Sequence, residues 1–138
     1  MHKLNSELEG YEAGFMNVYS IMKEEGFSLG GGWEYDHGCV DKALDEKNTV
    51  WLRVPFEVTH GTFEGDTDES DAVIRLGGPF VLRHLYEDGL DNDARVGVAT
   101  ALFNQFQNPV DKDAELDPKW ISAAEVQLDR LEQRLKSL

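Results

Sequence analysis

Hydrophobic and polar positions along this chain follow two different periods, and together they predict a small set of helices and strands. Phe15, Val18, Tyr19 and Met22 recur at i, i+3, i+4 and i+7, the stripe of an amphipathic helix. Gly26 follows as a C′ residue, and Phe27 at C″ is placed to touch Met22 at C3 in a Schellman turn. Residues 8–13 read as a short opening strand. Residues 40–44 alternate apolar with charged, as a half-buried strand does. Beyond a turn at Lys47-Asn48, Val50, Leu52, Val54 and Phe56 share one strand face and Trp51 and Arg53 the other. Pro55 cannot donate to a ladder and marks an edge, a bulge or a strand end.

Residues 72–76 and 80–86 are further apolar segments, divided by Gly77-Gly78-Pro79. A helix is expected over residues 93–106, stopped by Asn108-Pro109. The last helix has the clearest signals. Asp117 stands as N-cap and Pro118 at N1, and Ile121, Ala124, Leu128, Leu131, Leu135 and Leu138 follow in steps of three and four. Its stripe could form a coiled-coil seam, but with fewer than three full heptads it is expected rather to dock onto a sheet. Helical stripes and alternating strands bury each other in an α+β domain, with helices on one face of a mostly antiparallel sheet. No repeat or linker divides the 138 residues, so one domain spanning 1–138 is expected.

Charge narrows the function classes. Thirteen Lys and Arg against 27 Asp and Glu leave a net charge of −14, which disfavours nucleic acid and anionic membrane as partners. One cysteine, Cys39, leaves no internal disulfide and suits a reducing cytoplasm. No apolar run approaches the ~18 residues of a membrane span, and the start MHKLNSELEG lacks the apolar core of a signal peptide.

The densest cluster of reactive types is Gly30 through Cys39. No Lys-Ser/Thr pair follows the three glycines, so a phosphate loop is not expected, and Asp36-His37-Gly38 reads as a hairpin turn. Asp36 and His37 point to opposite faces if both are extended, whereas His37 and Cys39 share one. His2, His37, Cys39, His60 and His84 have no metal-ligand spacing, and the acidic run 64–71 lacks the glycine and glutamate of an EF-hand loop, so no metal and no cofactor is expected. Arg53, Arg75 and Arg83 fall inside strands. On a solvent face they simply solvate it; two of them converging beside Trp33, Tyr35, Trp51 or His84 would make an anion pocket, and otherwise they pair with buried carboxylates such as Glu34 or Asp41.

The strings GGGWEYDHG, WLRVPFEV, LGGPFVLRHLYEDGLD and FNQFQNPVDKDA, in this order, resemble the YugN-like family of small bacterial proteins, from about Leu8 through the final helix. The resemblance implies a compact α+β fold similar to the TATA-binding-protein-like class, with helices on a curved antiparallel sheet. It implies no catalytic or binding residue. It also implies that position 39 need not be cysteine and that the loop 64–71 is a surface insertion.

Three functional expectations follow, one of which, an acidic decoy or inhibitor of a basic partner, comes from the net charge of −14 alone. The first is a non-catalytic cytosolic binding or interaction protein, self-associating as a homodimer, with Trp33, Tyr35, Arg53 and Arg83 as contact candidates. The alternative is a small-molecule enzyme with His37 or His84 as general base and Arg53 or Arg83 holding an anionic substrate.

Overall fold

A computed structural model describes residues 1–65, 70–84 and 116–138. Its elements are β1 (His2–Lys3), β2 (Glu12–Gly14), α1 (Phe15–Glu24), β3 (Ser28–Leu29), β4 (His37–Ala43), β5 (Val50–His60), β6 (Val73–Leu76), β7 (Phe80–Arg83) and α2 (Pro118–Lys136). The expected α+β class with an antiparallel sheet is what forms.

The sheet is organised around β5. On one side β4 pairs along it from His37↔Glu57 to Ala43↔Trp51, and β3 pairs with β4. On the other side β6 and β7 act as one interrupted strand: Leu76 pairs with Phe56 and Phe80 with Arg53. Gly77-Gly78-Pro79 bridges the gap opposite Val54 and Pro55, where the Gly77 N–H donates to the Pro55 carbonyl at 2.8 Å. The two proline-bearing segments therefore meet at one irregularity, which suits residues that cannot donate to a ladder. The chain from His2 to Gly14 runs outside this pair in the same broken manner, β1 on β7 and β2 on β6.

Alternation along β5 separates two faces. Val50, Leu52, Val54 and Phe56 are buried and join one cluster with Phe15, Val18, Tyr19 and Met22 of α1 and Ala124, Leu128, Leu131 and Leu135 of α2. Both described helices thus lie on the Val50 face. The opposite face is not bare: Leu82, paired with Trp51, and Asp41, paired with Arg53, are both buried.

Local signals explain most boundaries. The Phe27 N–H donates to the Met22 carbonyl and the Gly26 N–H to Lys23, with Gly26 at φ 93°, the expected Schellman end of α1. The Asp117 side chain accepts from the Lys119 N–H at 3.0 Å, the expected cap of α2. The stripe of α2 ends at Leu135, since Leu138 is exposed beyond the last turn.

Three boundaries depart from expectation. The opening strand begins at Glu12, because Leu8 is buried within a turn that Gly10, at φ 89°, closes by donating to the Leu76 carbonyl. β4 begins at His37, because the long β5 offers pairing as far as Glu57. The hairpin turn is consequently Tyr35-Asp36, between Glu34 and His37, and Gly38 is already strand. The helix expected over 93–106 and the end of the strand expected over 80–86 lie outside the described residues.

Candidate functional site

The residues from Gly30 to Gly38 form a tip at one end of the β4–β5 ribbon. Gly30 N–H donates to the Cys39 carbonyl at 2.8 Å, closing the β3 lane. Glu34 N–H donates to the His37 carbonyl at 2.7 Å, and Val58 N–H to the Asp36 carbonyl at 2.8 Å, so the turn is tied to β5 as well as to β4. Trp33 packs edge-on against Phe63, with ring centroids 5.2 Å apart. Phe63 is buried against Phe15 at 4.7 Å and Phe56 at 5.4 Å. The tip thereby rests on an aromatic stack continuous with the core.

Two glycines make this seating possible. A Cβ at Gly38 would lie 2.7 Å from the Phe56 ring, and one at Gly65 would lie 2.7 Å from the Trp33 ring. Gly65 is also at φ 86°, where a side chain is strained in any case. Trp33 is 39% exposed and Tyr35 72%, side chains presented to solvent from a backbone that is hydrogen-bonded on both flanks.

The candidate base is at this tip. His37 Nδ1 lies 2.7 Å from Asp36 Oδ1, both side chains exposed. Two extended neighbours would point to opposite faces. These two meet because Asp36 belongs to the turn and only His37 to the strand.

The other candidates are elsewhere. Arg53 points to the Trp51 face and makes a two-point contact with Asp41, Nε to Oδ1 at 2.9 Å and Nη2 to Oδ2 at 3.1 Å. Arg83 pairs with Val50 and so belongs to the opposite face. The two arginines therefore do not converge on one anion. His84, half-buried, follows β7, and its N–H donates to the Thr49 carbonyl at 2.8 Å. Seven positions of β5 separate the partner of His37 (Glu57) from the partner of Arg83 (Val50), a span of roughly 23 Å. Burial pushes the Cys39 thiol up, away from the reactive thiolate. Among the described residues no three His, Cys, Asp or Glu side chains gather closely enough to hold a metal ion. No helix among them is long and apolar enough to cross a membrane.

A second polar cluster left little signal in the sequence pattern. Glu25, the C-cap of α1, is buried and accepts from Gln127 at 3.1 Å and Arg134 at 2.9 Å, with Arg130 Nε at 3.2 Å. The Arg134 hydrogen bond, helped by the Arg130 charge, holds its carboxyl below the usual range against the opposing cost of burial. Lys42 joins it, donating to the Glu25 carbonyl at 2.7 Å and to Gln127 at 2.9 Å, and burial lowers its ammonium pKa. This cluster fastens α2 to α1 and β4. Only the position of Glu25, immediately before the C′ glycine, hinted that it would be held near the helix end.

These features define a class: an antiparallel α+β protein whose two described helices lie on one sheet face, with an acidic, aromatic tip at the end of its central ribbon. The chain belongs to the YugN-like family, whose model matches residues 3–135. It is 35% identical over 122 residues to "Uncharacterized protein YugN" of Bacillus subtilis (strain 168), covering 88% of each chain. It is also 30% identical over 87 residues to "Uncharacterized protein YlbA" of the same organism, covering 62% of this chain and 69% of that one. The crystal structure of the conserved protein YugN from Geobacillus kaustophilus HTA426 superposes with a TM-score of 0.67 at 18% identity. That match covers 100% of this chain and 97% of the other, and it bears on the fold alone.

Proposed function

We propose that this protein acts by binding rather than by catalysis, as a non-catalytic cytosolic interaction protein that meets its partner through the Trp33–Tyr35 tip. One observation carries the reading: Tyr35 is 72% exposed on a turn whose backbone is fastened to two strands, next to a Trp33 ring locked on the buried Phe63. A large aromatic held rigidly in water gains area on binding and loses little freedom, the character of an interface anchor. Self-association, expected from the sequence, is one form of this contact.

Site-specific photocrosslinking in cells tests the proposal. Benzoylphenylalanine in place of Tyr35 is expected to give a discrete covalent adduct, whereas the same group in place of the exposed Val126 on α2 gives none. An adduct of twice 15.6 kDa would be a second copy. Absence of any adduct at position 35, or equal labelling at both positions, overturns the reading.

The alternative, an enzyme using His37 or His84 as base with Arg53 or Arg83, has one observation in its favour, the 2.7 Å contact of Asp36 with His37. It is weakened by the engagement of Arg53 with Asp41 and by the placement of Arg83 on the other sheet face. His37→Ala abolishing turnover of a small anionic substrate would favour it.

A further inference from the structure

The surroundings of the tip carry a statement about the partner's chemistry, one that rests on the interaction reading above. Glu34 and Asp36 flank Tyr35 within the turn, and both are exposed. Glu57 is paired with His37 across the ribbon, and Glu64 lies between Phe63, which supports Trp33, and Gly65, which touches it. Arg75 donates to Glu57 at 2.9 Å, and Asp36 shares a hydrogen bond with His37. Arg75 thus answers Glu57, and among the described residues Glu34, Asp36 and Glu64 are the other exposed carboxylates around the two rings.

We propose that the Trp33–Tyr35 tip is a docking site for a basic segment of another protein, rich in arginine or lysine. A guanidinium over an exposed aromatic face is attracted by the ring quadrupole, and neighbouring carboxylates add charge-assisted hydrogen bonds. Arginine is enriched in interface cores. The net charge of −14 steers a cation toward this molecule from a distance. The same charge opposes contact between two copies at these acidic tips, which argues for a different chain as occupant.

The test uses the full chain and a short fluorescein-labelled peptide of alternating arginine and serine, with binding read by anisotropy. Because a −14 protein attracts any polycation, the variants separate the tip from the overall field. Tyr35→Ala leaves the charge unchanged and is expected to weaken binding about fivefold or more. The double variant Glu34→Gln, Asp36→Asn is expected to weaken it at least as much. The pair Glu125→Gln, Asp129→Asn, on exposed positions of α2, changes the net charge equally and is expected to weaken binding less than about twofold.

Equal weakening by the two charge pairs, with no effect of Tyr35→Ala, overturns the proposal. Light scattering on the same variants separates it from the broader reading. A dimer that Tyr35→Ala dissociates, in the absence of peptide binding, leaves the interaction reading standing and makes a second copy the occupant. If neither measurement responds to Tyr35→Ala, both fall.

Discussion

The seam between α1 and α2 and the aromatic tip both set a carboxylate against a base, and they do so under opposite conditions. At the seam the Glu25 side chain is 6% exposed and its oxygens face Gln127, Arg130 and Arg134. At the tip the Asp36 side chain is 55% exposed, with the exposed His37 as its partner. A carboxylate withdrawn from water is tolerable only when its lone pairs are answered, so the seam's geometry follows from the need to bury it. Water answers the tip's carboxylate, and its geometry needs another cause. The contrast teaches that the seam answers a buried carboxylate with the protein's own groups, whereas the tip leaves Asp36 and Tyr35 displayed to water.

The sharpest way to break this contrast is to open the seam. Leu131 of α2 is fully buried in the core cluster that α1 and α2 share, and Leu131→Ala removes three carbons from a packed site. A loss of about 3 kcal/mol is expected, read as a lower urea midpoint at unchanged slope. Glu25→Gln comes next, at about 2 kcal/mol, since it keeps the shape and removes the charge that answers two guanidinium groups.

Glu25 also gives the seam a pH signature. Its folded-state carboxyl is held below its ordinary value of 4.5, so its contribution is fully present above that value. As pH falls through the folded value the proton binds, and the contribution is lost. The urea midpoint of the native chain should therefore drop more steeply below about pH 4.5 than that of Glu25→Gln. Parallel profiles would mean that the seam does not depend on this charge.

The two regions were legible in the sequence to very different degrees. Leu128, Leu131 and Leu135 announced the docking face of α2 because burial imposes helical spacing. The Schellman end of α1 was readable because the left-handed position at 26 demands glycine. Glu25, Gln127, Arg130 and Arg134 were not readable as a cluster. Charged residues on a helix look alike whether they meet water or one another, and only the approach of α1 to α2 brings these four together. At the tip, Trp33 and Tyr35 stood out by type, but Phe63 gave no sign of being the ring beneath Trp33. The contact of Asp36 with His37 depends on where the turn ends: alternation separates the two only if both are extended, and Asp36 stays in the turn.

Gly65→Ala probes the seating of the tip rather than its display. The new methyl would meet the Trp33 ring, and the backbone would hold a left-handed φ of 86°. A loss of about 1 to 2 kcal/mol is expected. Displacement of Trp33 from Phe63 should also change the tryptophan emission at native conditions, before any unfolding. An unaltered spectrum with unaltered stability would mean that Trp33 has other equally good seats, and the tip would lose its claim to rigidity.

The smallest expected effect is the most discriminating. Tyr35→Ala deletes a side chain that is 72% exposed and has no aromatic contact among the described residues, while the turn beneath it is held by main-chain hydrogen bonds that alanine preserves. Surface substitutions of this kind stay within about 0.5 kcal/mol of the parent, so the urea midpoint should be unchanged. Stability retained while the tip's contacts are lost is the result that a display role requires. A clear drop in midpoint would show that Tyr35 holds the turn in place, and the tip would then belong with the seam as structure.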